Sequence, residues 1–266
     1  MKKLLPAAIL VCFTLAGCSS LIDAMAENAA DALFSEMTGQ DTSTASEPKG
    51  QETTAAARSS DEKQVTDNWS YEMEMEAQFV FTFAFTAGGF WISDAEYKEG
   101  EYTVFEWKID DEEAVNMEKA FLKELDDGSQ WWRVAWSQDK EAIVFEALLD
   151  PASGTIKRLR VRDSDGKTED VALSGNALYA PAQNLDDGDV QIAGKGNVRV
   201  DTPAGAFQAK QLTFELGGSG RLEWWTAAKV PGSVVKYHFV GGDGSEIWAA
   251  TLADYGKKTG SILGSF

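Results

Sequence analysis

The chain has 266 residues, 44% hydrophobic and 11% aromatic, and carries 43 acidic against 24 basic side chains for a formal net charge of −19. A surface this negative repels phosphate backbones and anionic headgroups, which excludes nucleic acid as a partner and leaves no electrostatic route to an anionic bilayer. With one histidine and two cysteines in the whole chain, a zinc site built from several such ligands is excluded, and no metal or other cofactor is expected.

In chain order, Lys2 and Lys3 come first, then an apolar run from Leu4 to Leu15, then Leu15-Ala16-Gly17-Cys18. A bilayer-spanning helix needs roughly 20 apolar residues, and this run is about a dozen, so it reads as a signal peptide over residues 1–17. The small residues before Cys18 resemble the lipobox of bacterial lipoproteins. That resemblance implies cleavage before Cys18 and a membrane anchor of acyl chains on Cys18, palmitate among them. In proteins with this motif a residue other than Asp after the cysteine directs the protein to the outer membrane, so Ser19 implies that membrane for a Gram-negative source, with the folded part on its periplasmic face or at the cell surface. Cys12 leaves with the signal, so the processed chain has one cysteine and cannot form an internal disulfide or offer a free thiolate. Its formal charge, without Lys2 and Lys3, is −21.

Residues 18–37 join the lipidated cysteine to an amphipathic helix. Leu21, Met25, Ala29, Leu33 and Met37 recur at i, i+4, and Asp23, Glu27, Asp31 and Glu36 favour solvent or the folded domain over anionic lipid. Residues 38–68 are Thr, Ser, Ala and Gln with mixed charge, a composition that predicts a disordered linker. A flexible coil of about 31 residues has a root-mean-square span of roughly 30 Å, enough to hold a domain clear of the membrane.

The remainder, residues 69–266, is long enough for one domain. Between Trp69 and Phe85 every odd position is apolar while Ser70, Glu72, Glu74, Glu76 and Gln78 alternate with them, which predicts a β-strand. At about 3.3 Å per residue it would run roughly 55 Å and must bend or wrap. Further strands are expected at Tyr102–Ile109, Trp131–Ser137, Ala142–Leu149, Thr155–Val161, Thr168–Leu173, Asn197–Asp201, Ala206–Leu216, Arg221–Thr226, Ser233–Val240 and Glu246–Ala253. They are separated by turn sequences such as Asp165-Gly166, Asp187-Gly188 and Asp243-Gly244. One helix is expected at Asp111–Asp127, capped by Asp110 with Glu113 and ended by Gly128.

Nucleophile elbows, P-loops and dinucleotide fingerprints are absent from the sequence. His238 reads as a strand histidine. Asp163-Ser164-Asp165-Gly166 reads as a turn, since its glycine stands fourth and not sixth in a calcium loop and Ser174 holds the twelfth place. Arg158, Arg160 and Arg162 share one sheet face, expected to be solvated and paired with carboxylates. Trp131-Trp132 and Trp224-Trp225 put indoles on both faces of their strands, so a face beyond the core needs a second layer, a partner or a ligand.

Asp201-Thr202-Pro203-Ala204-Gly205-Ala206-Phe207, then Leu222-Glu223-Trp224-Trp225, then Lys229-Val230-Pro231-Gly232-Ser233-Val234-Val235-Lys236-Tyr237, resemble paired hairpins of bacterial envelope domains similar to the lipoprotein-carrier (Lol-like) half-barrel. The resemblance covers roughly Val190 to Gly256. It implies a mainly β (α+β) fold, one strongly curved antiparallel sheet with one or more helices as lid. No carrier motif maps onto this chain, so no site residue follows from it. The expectation for function is a non-enzymatic envelope lipoprotein that binds a lipid or other apolar ligand in the curved sheet. Its cavity would be lined by Met75, Phe79, Phe81, Phe83, Phe85, Trp132, Trp136 and Trp224. The alternatives are a structural or adhesive module that binds an envelope protein, and a hydrolase using a carboxylate pair in a cleft.

Overall fold

The structure is a computed structural model that describes residues 60–86, 97–109, 114–138, 141–180, 193–215, 220–257 and 260–266. The expected signal peptide, the expected anchor at Cys18, the expected helix Leu21–Met37 and residues 38–59 of the expected linker lie outside the described residues.

The elements in order are a helix, α1 (Ser60–Thr86), and eleven strands: β1 (Glu101–Ile109), β2 (Val115–Glu124), β3 (Gln130–Gln138), β4 (Glu141–Asp150), β5 (Thr155–Arg162), β6 (Thr168–Asp170), β7 (Ala193–Thr202), β8 (Gly205–Glu215), β9 (Gly220–Thr226), β10 (Val234–Gly241) and β11 (Glu246–Lys257). They form one antiparallel sheet in the order β6-β5-β4-β3-β2-β1-β11-β10-β9-β8-β7. Two up-and-down meanders, β1 to β6 and β7 to β11, are thus sewn together by the single long-range pair β1–β11. That seam is bulged between Val104 and Phe105. The fold is the expected one: mainly β, an open curved antiparallel sheet with a helix over it. Short turns make the meanders possible. Gly154 closes the β4–β5 turn at φ 65, a left-handed conformation that a residue with a Cβ seldom adopts, and its N–H meets the Asp150 carbonyl at 2.9 Å.

The expected strands of residues 102–253 all find their place, with ends shifted by a few residues. Two other expectations are reversed. The segment Trp69–Phe85 is not a strand but the body of α1, which starts at Ser60 inside the stretch expected to be linker. Glu74, Ala77, Val80, Phe81, Ala84 and Phe85 are buried, the spacing of a helical stripe. Alternation fails at Val80 and Ala84, which fall on the parity expected to be polar. The run Met73-Glu74-Met75-Glu76-Ala77-Gln78 is built from strong helix formers, so local preference and burial agree.

Conversely, the helix expected at Asp111–Asp127 is, over its described residues 114–127, strand β2 with the turn that follows it, while residues 111–113 lie outside the described residues. Val115-Asn116-Met117-Glu118-Lys119-Ala120-Phe121-Leu122 has good helix formers, but it pairs on both sides, with β1 and β3. Both of its faces are buried, so no clean alternation shows. Met117, Lys119 and Phe121 face α1. Ala120 and Leu122 pack on the other side with Trp131, Leu148, Tyr102 and Leu125.

Candidate functional site

The face of the sheet toward α1, here called inner, is fixed by ring contacts. Phe83 of α1 meets Trp107 of β1 at 4.9 Å and Trp136 of β3 at 5.6 Å between centroids. Phe85 meets Trp132 of β3 edge-on at 4.8 Å. Strand register carries the face onward: Trp107 stands opposite Ala250, Ala250 opposite Tyr237, and Tyr237 opposite Trp224.

Two aromatic clusters line this face. In the first, Trp107 lies against Phe83, against Tyr237 at 5.2 Å and against Trp248 at 5.5 Å, while Phe105 touches Tyr237 at 5.5 Å. Burial pushes the Tyr237 phenol well above its ordinary range. The Trp107 indole N–H is buried and has no hydrogen-bond acceptor in the structure. An unpaired buried donor costs about 1–3 kcal/mol, so its presence calls for a physical reason.

In the second cluster Trp132 stacks on Phe121 at 4.8 Å and meets Tyr97 at 5.4 Å. Beside the second cluster stands Lys119, one of two buried cations, with Arg133, among the described residues. Its ammonium donates to the Ala84 carbonyl at 3.0 Å and lies 5.4 Å from the Phe85 ring centre and 4.9 Å from that of Tyr97. The Tyr97 hydroxyl is 2.6 Å from Thr103 Oγ1. Burial lowers the Lys119 pKa to about 7.

A row of polar side chains holds α1 in place. Glu74 accepts from the Ser174 amide at 2.7 Å and its hydroxyl at 2.6 Å, Gln78 from the Leu178 amide at 3.1 Å, and Thr82 from the Ala180 amide at 3.1 Å. The spacing i, i+4, i+8 lays these acceptors along one helix flank. The strap they grip is itself bonded to the sheet through Ile156 to Ala177 and Tyr179 to Gly154, each at 2.8 Å. On another flank, burial first and Glu72 second raise the carboxyl of half-buried Glu76 to about 7.

Of the eight residues expected to line a cavity, Trp132, Trp136 and Trp224 lie on the inner face, Phe83 and Phe85 contact it, and Phe81 is fully buried. Met75 and Phe79 are instead exposed, because the helix turns them away where a strand would have aligned them with Phe81. Trp131 and Trp225, the partners in the two tryptophan pairs, face outward. Trp131 meets Phe266 at 5.7 Å and Trp225 meets His238 at 5.0 Å. The inner residues that sequence reasoning missed are Trp107, Tyr237, Tyr97 and Lys119. The first two stood in expected strands, and the strand-face rule alone would have placed them; Lys119 was hidden in the expected helix.

The remaining candidates are structural. His238 is a β10 histidine on the outer face whose Nδ1 and Nε2 stand 2.7 Å and 3.0 Å from Glu246 and Glu223. Asp163–Gly166 is a turn in which the Gly166 amide donates to the Asp163 carbonyl at 3.0 Å. Arg160 pairs with Asp170 at 3.5 Å and donates to the Gly264 carbonyl at 2.7 Å, and Arg158 lies over Trp131. Among the described residues no cluster of His, Cys, Asp and Glu has metal-binding geometry, and no helix is long and apolar enough to cross a membrane.

No family model and no curated protein matches the chain. Solved structures give partial likenesses. The MucA/MucB complex of Pseudomonas aeruginosa matches at 11% identity and TM-score 0.42, over 61% of this chain and 53% of that one. A protein of Parabacteroides distasonis assigned as a lipoprotein matches at 10% identity and TM-score 0.30, over 62% and 100%. A domain of Vibrio parahaemolyticus assigned to outer membrane lipoprotein sorting matches at 8% identity and TM-score 0.26, over 60% and 86%. The chain spans about half the length of the MucB-containing structures it matches.

Proposed function

We propose that the protein is a non-enzymatic lipoprotein of the bacterial envelope, anchored through Cys18, that binds an acyl chain or similar apolar ligand against the inner face of its sheet. The observation that carries this reading is the Trp107 indole N–H, buried in an aromatic cluster with no acceptor of its own. A ligand with an ester or carboxyl oxygen at one end and a hydrocarbon tail would satisfy that donor while its chain lies on Phe83, Tyr237 and Trp248. Each CH₂ removed from water contributes about 0.8 kcal/mol, so a long acyl chain supplies ample gross affinity without a charged contact.

The buried carboxylates favour binding over hydrolysis. Glu74 is held by Ser174, Glu146 by Arg133 and Ser265, and Glu223 by Arg221 and His238. Groups so fully engaged in holding the fold are poor candidates for moving a substrate proton.

Organic extraction of the protein purified from a bacterial host, followed by mass spectrometry, tests the reading. It predicts a stoichiometric acyl-chain compound beyond the N-terminal modification, and less of it in Trp107→Phe. Extracts with no such compound, from a protein that takes up no added fatty acid, would overturn it.

A further inference from the structure

Residues 260–266 lie on the outer face of the sheet, away from the acyl-chain site. Glu146 of β4, fully buried, accepts from the Ile262 amide at 2.9 Å, from the Ser265 hydroxyl at 2.7 Å and from the Ser261 hydroxyl. Arg160 of β5 donates to the Gly264 carbonyl at 2.7 Å. Leu263 is buried, Phe266 lies against Trp131, and the Lys123 ammonium stands 5.5 Å from the Phe266 ring centre. The Ser261 hydroxyl also accepts from the amides of Leu263 at 3.1 Å and Ser265 at 2.8 Å, which curls the segment into a turn.

Among the described residues no backbone hydrogen bond joins this segment to a strand. A strand would pair through its backbone, whereas this segment is read through two hydroxyls, one amide, one carbonyl and a leucine. The ladders of β3, β4 and β5 beneath it are complete without it. Ile262 and Phe266 remain 53% and 50% exposed, so Leu263 is its one buried apolar anchor. A buried carboxylate adds little net stability but discriminates between sequences, because a segment without matching donors leaves it unsatisfied.

The same face carries two further cations on β5. Arg158, over Trp131, and Arg162, two places beyond Arg160, pair with no carboxylate among the described residues, in a chain of net charge −19. Residues 260–266 have no acidic side chain to offer them.

We propose that this groove binds a segment of a partner protein with a hydroxyl residue, a leucine two places on and a hydroxyl four places on, flanked by acidic residues that pair with Arg158 and Arg162. Residues 260–266 are the internal occupant that it displaces. Tethering gives that occupant a high effective concentration, so an identical segment from a second copy has no advantage over it, while one that engages two more guanidinium groups does.

The test uses the full chain with Cys18→Ser throughout, so that no acyl anchor drives association, and with Leu263→Asp to empty the groove without altering its walls. Fluorescein-labelled Asp-Asp-Ser-Ile-Leu-Gly-Ser-Phe-Asp-Asp is titrated and followed by anisotropy, with circular dichroism reporting the fold. Binding should saturate, and should weaken roughly tenfold when glycines replace the flanking acids, when Arg158→Gln/Arg162→Gln is added, or when Leu263 is restored. Aspartate in place of the peptide's leucine should abolish it. A folded variant without saturable binding, or binding indifferent to the leucine or to the two arginines, overturns the proposal. In the chain with Leu263 intact, the Ile262 amide should exchange at least roughly tenfold faster than that of Phe145 in β4 beneath it. Equal rates mean that the segment leaves only when the fold does, and overturn the proposal even if Leu263→Asp fails to fold. A chain that dimerises with Leu263 and is monomeric with Leu263→Asp gives the groove to a second copy, and also overturns it.

Discussion

Lys119 of β2 donates a 3.0 Å hydrogen bond to the carbonyl of Ala84, in the last turn of α1. The four carbonyls that end a helix lack intrahelical partners, and a cation there also meets the negative end of the helix dipole. One buried side chain thus fixes the C-terminal end of the helix to the centre of the sheet. Since Lys119 sits among Phe85, Tyr97, Thr103 and Val134, the same burial that anchors the helix disfavours its charge.

The sign of the resulting pH dependence follows from linkage. The Lys119 pKa is lowered to about 7 in the folded protein, so between there and the ordinary lysine range the unfolded chain holds more protons and stability rises with pH. Glu76 is raised to about 7, so below that, down to the ordinary carboxyl range, the folded chain holds more protons and stability falls as pH rises. Together the two groups give a stability minimum near neutral pH. Thermal melts between pH 5 and about 9.5 should show it, with the alkaline limb worth a few kcal/mol. Lys119→Met should flatten the alkaline limb and Glu76→Gln the acid one. A limb that survives its own substitution contradicts the assignment.

Phe81 and Met75 share the parity of the alternating run yet face opposite environments. Phe81→Ala should cost about 3–5 kcal/mol in denaturant unfolding, while Met75→Ala should stay within about 0.5 kcal/mol. Equal costs would restore the strand.

This pair shows where the sequence was legible and where it was not. Apart from β2, the strands between Tyr102 and Ala253 announced themselves through β-branched and aromatic runs bounded by turn residues. The two segments with exchanged identities carry misleading patterns instead. Phenylalanines at 79, 81, 83 and 85 imitate a strand because phenylalanine fills every second place, while the helical signal lies in small neighbours, Ala77 and Ala84, that carry little hydrophobic weight. In β2 burial on both faces erases alternation. The inner face was therefore foreseen in its tryptophans, Trp132, Trp136 and Trp224, but not in Lys119, whose role exists only once Ala84 arrives from a helix 35 residues away.

Glu146 is a second feature no local pattern could reveal. It is fully buried on the outer face, 3.5 Å from Arg133, and its oxygens accept the Ile262 amide at 2.9 Å and the hydroxyls of Ser265, at 2.7 Å, and Ser261. Arg133 also pairs with Glu118 at 2.8 Å. Glu146→Ala should cost about 3–5 kcal/mol, since it strips the tail of its acceptor and leaves Arg133 buried with one partner. Hydrogen exchange at the amides of Ile262, Leu263 and Ser265 should accelerate together. Unchanged exchange there would show that Leu263 and Phe266 hold the segment alone.

The most direct test of the acyl-chain site is a titration of the protein with a brominated fatty acid, read by quenching of tryptophan fluorescence. Quenching should saturate at one equivalent, with an amplitude markedly reduced in Trp107→Phe and unchanged in Trp225→Phe, whose indole lies on the outer face against His238. Quenching that never saturates, or that falls with Trp225 and not with Trp107, would contradict it.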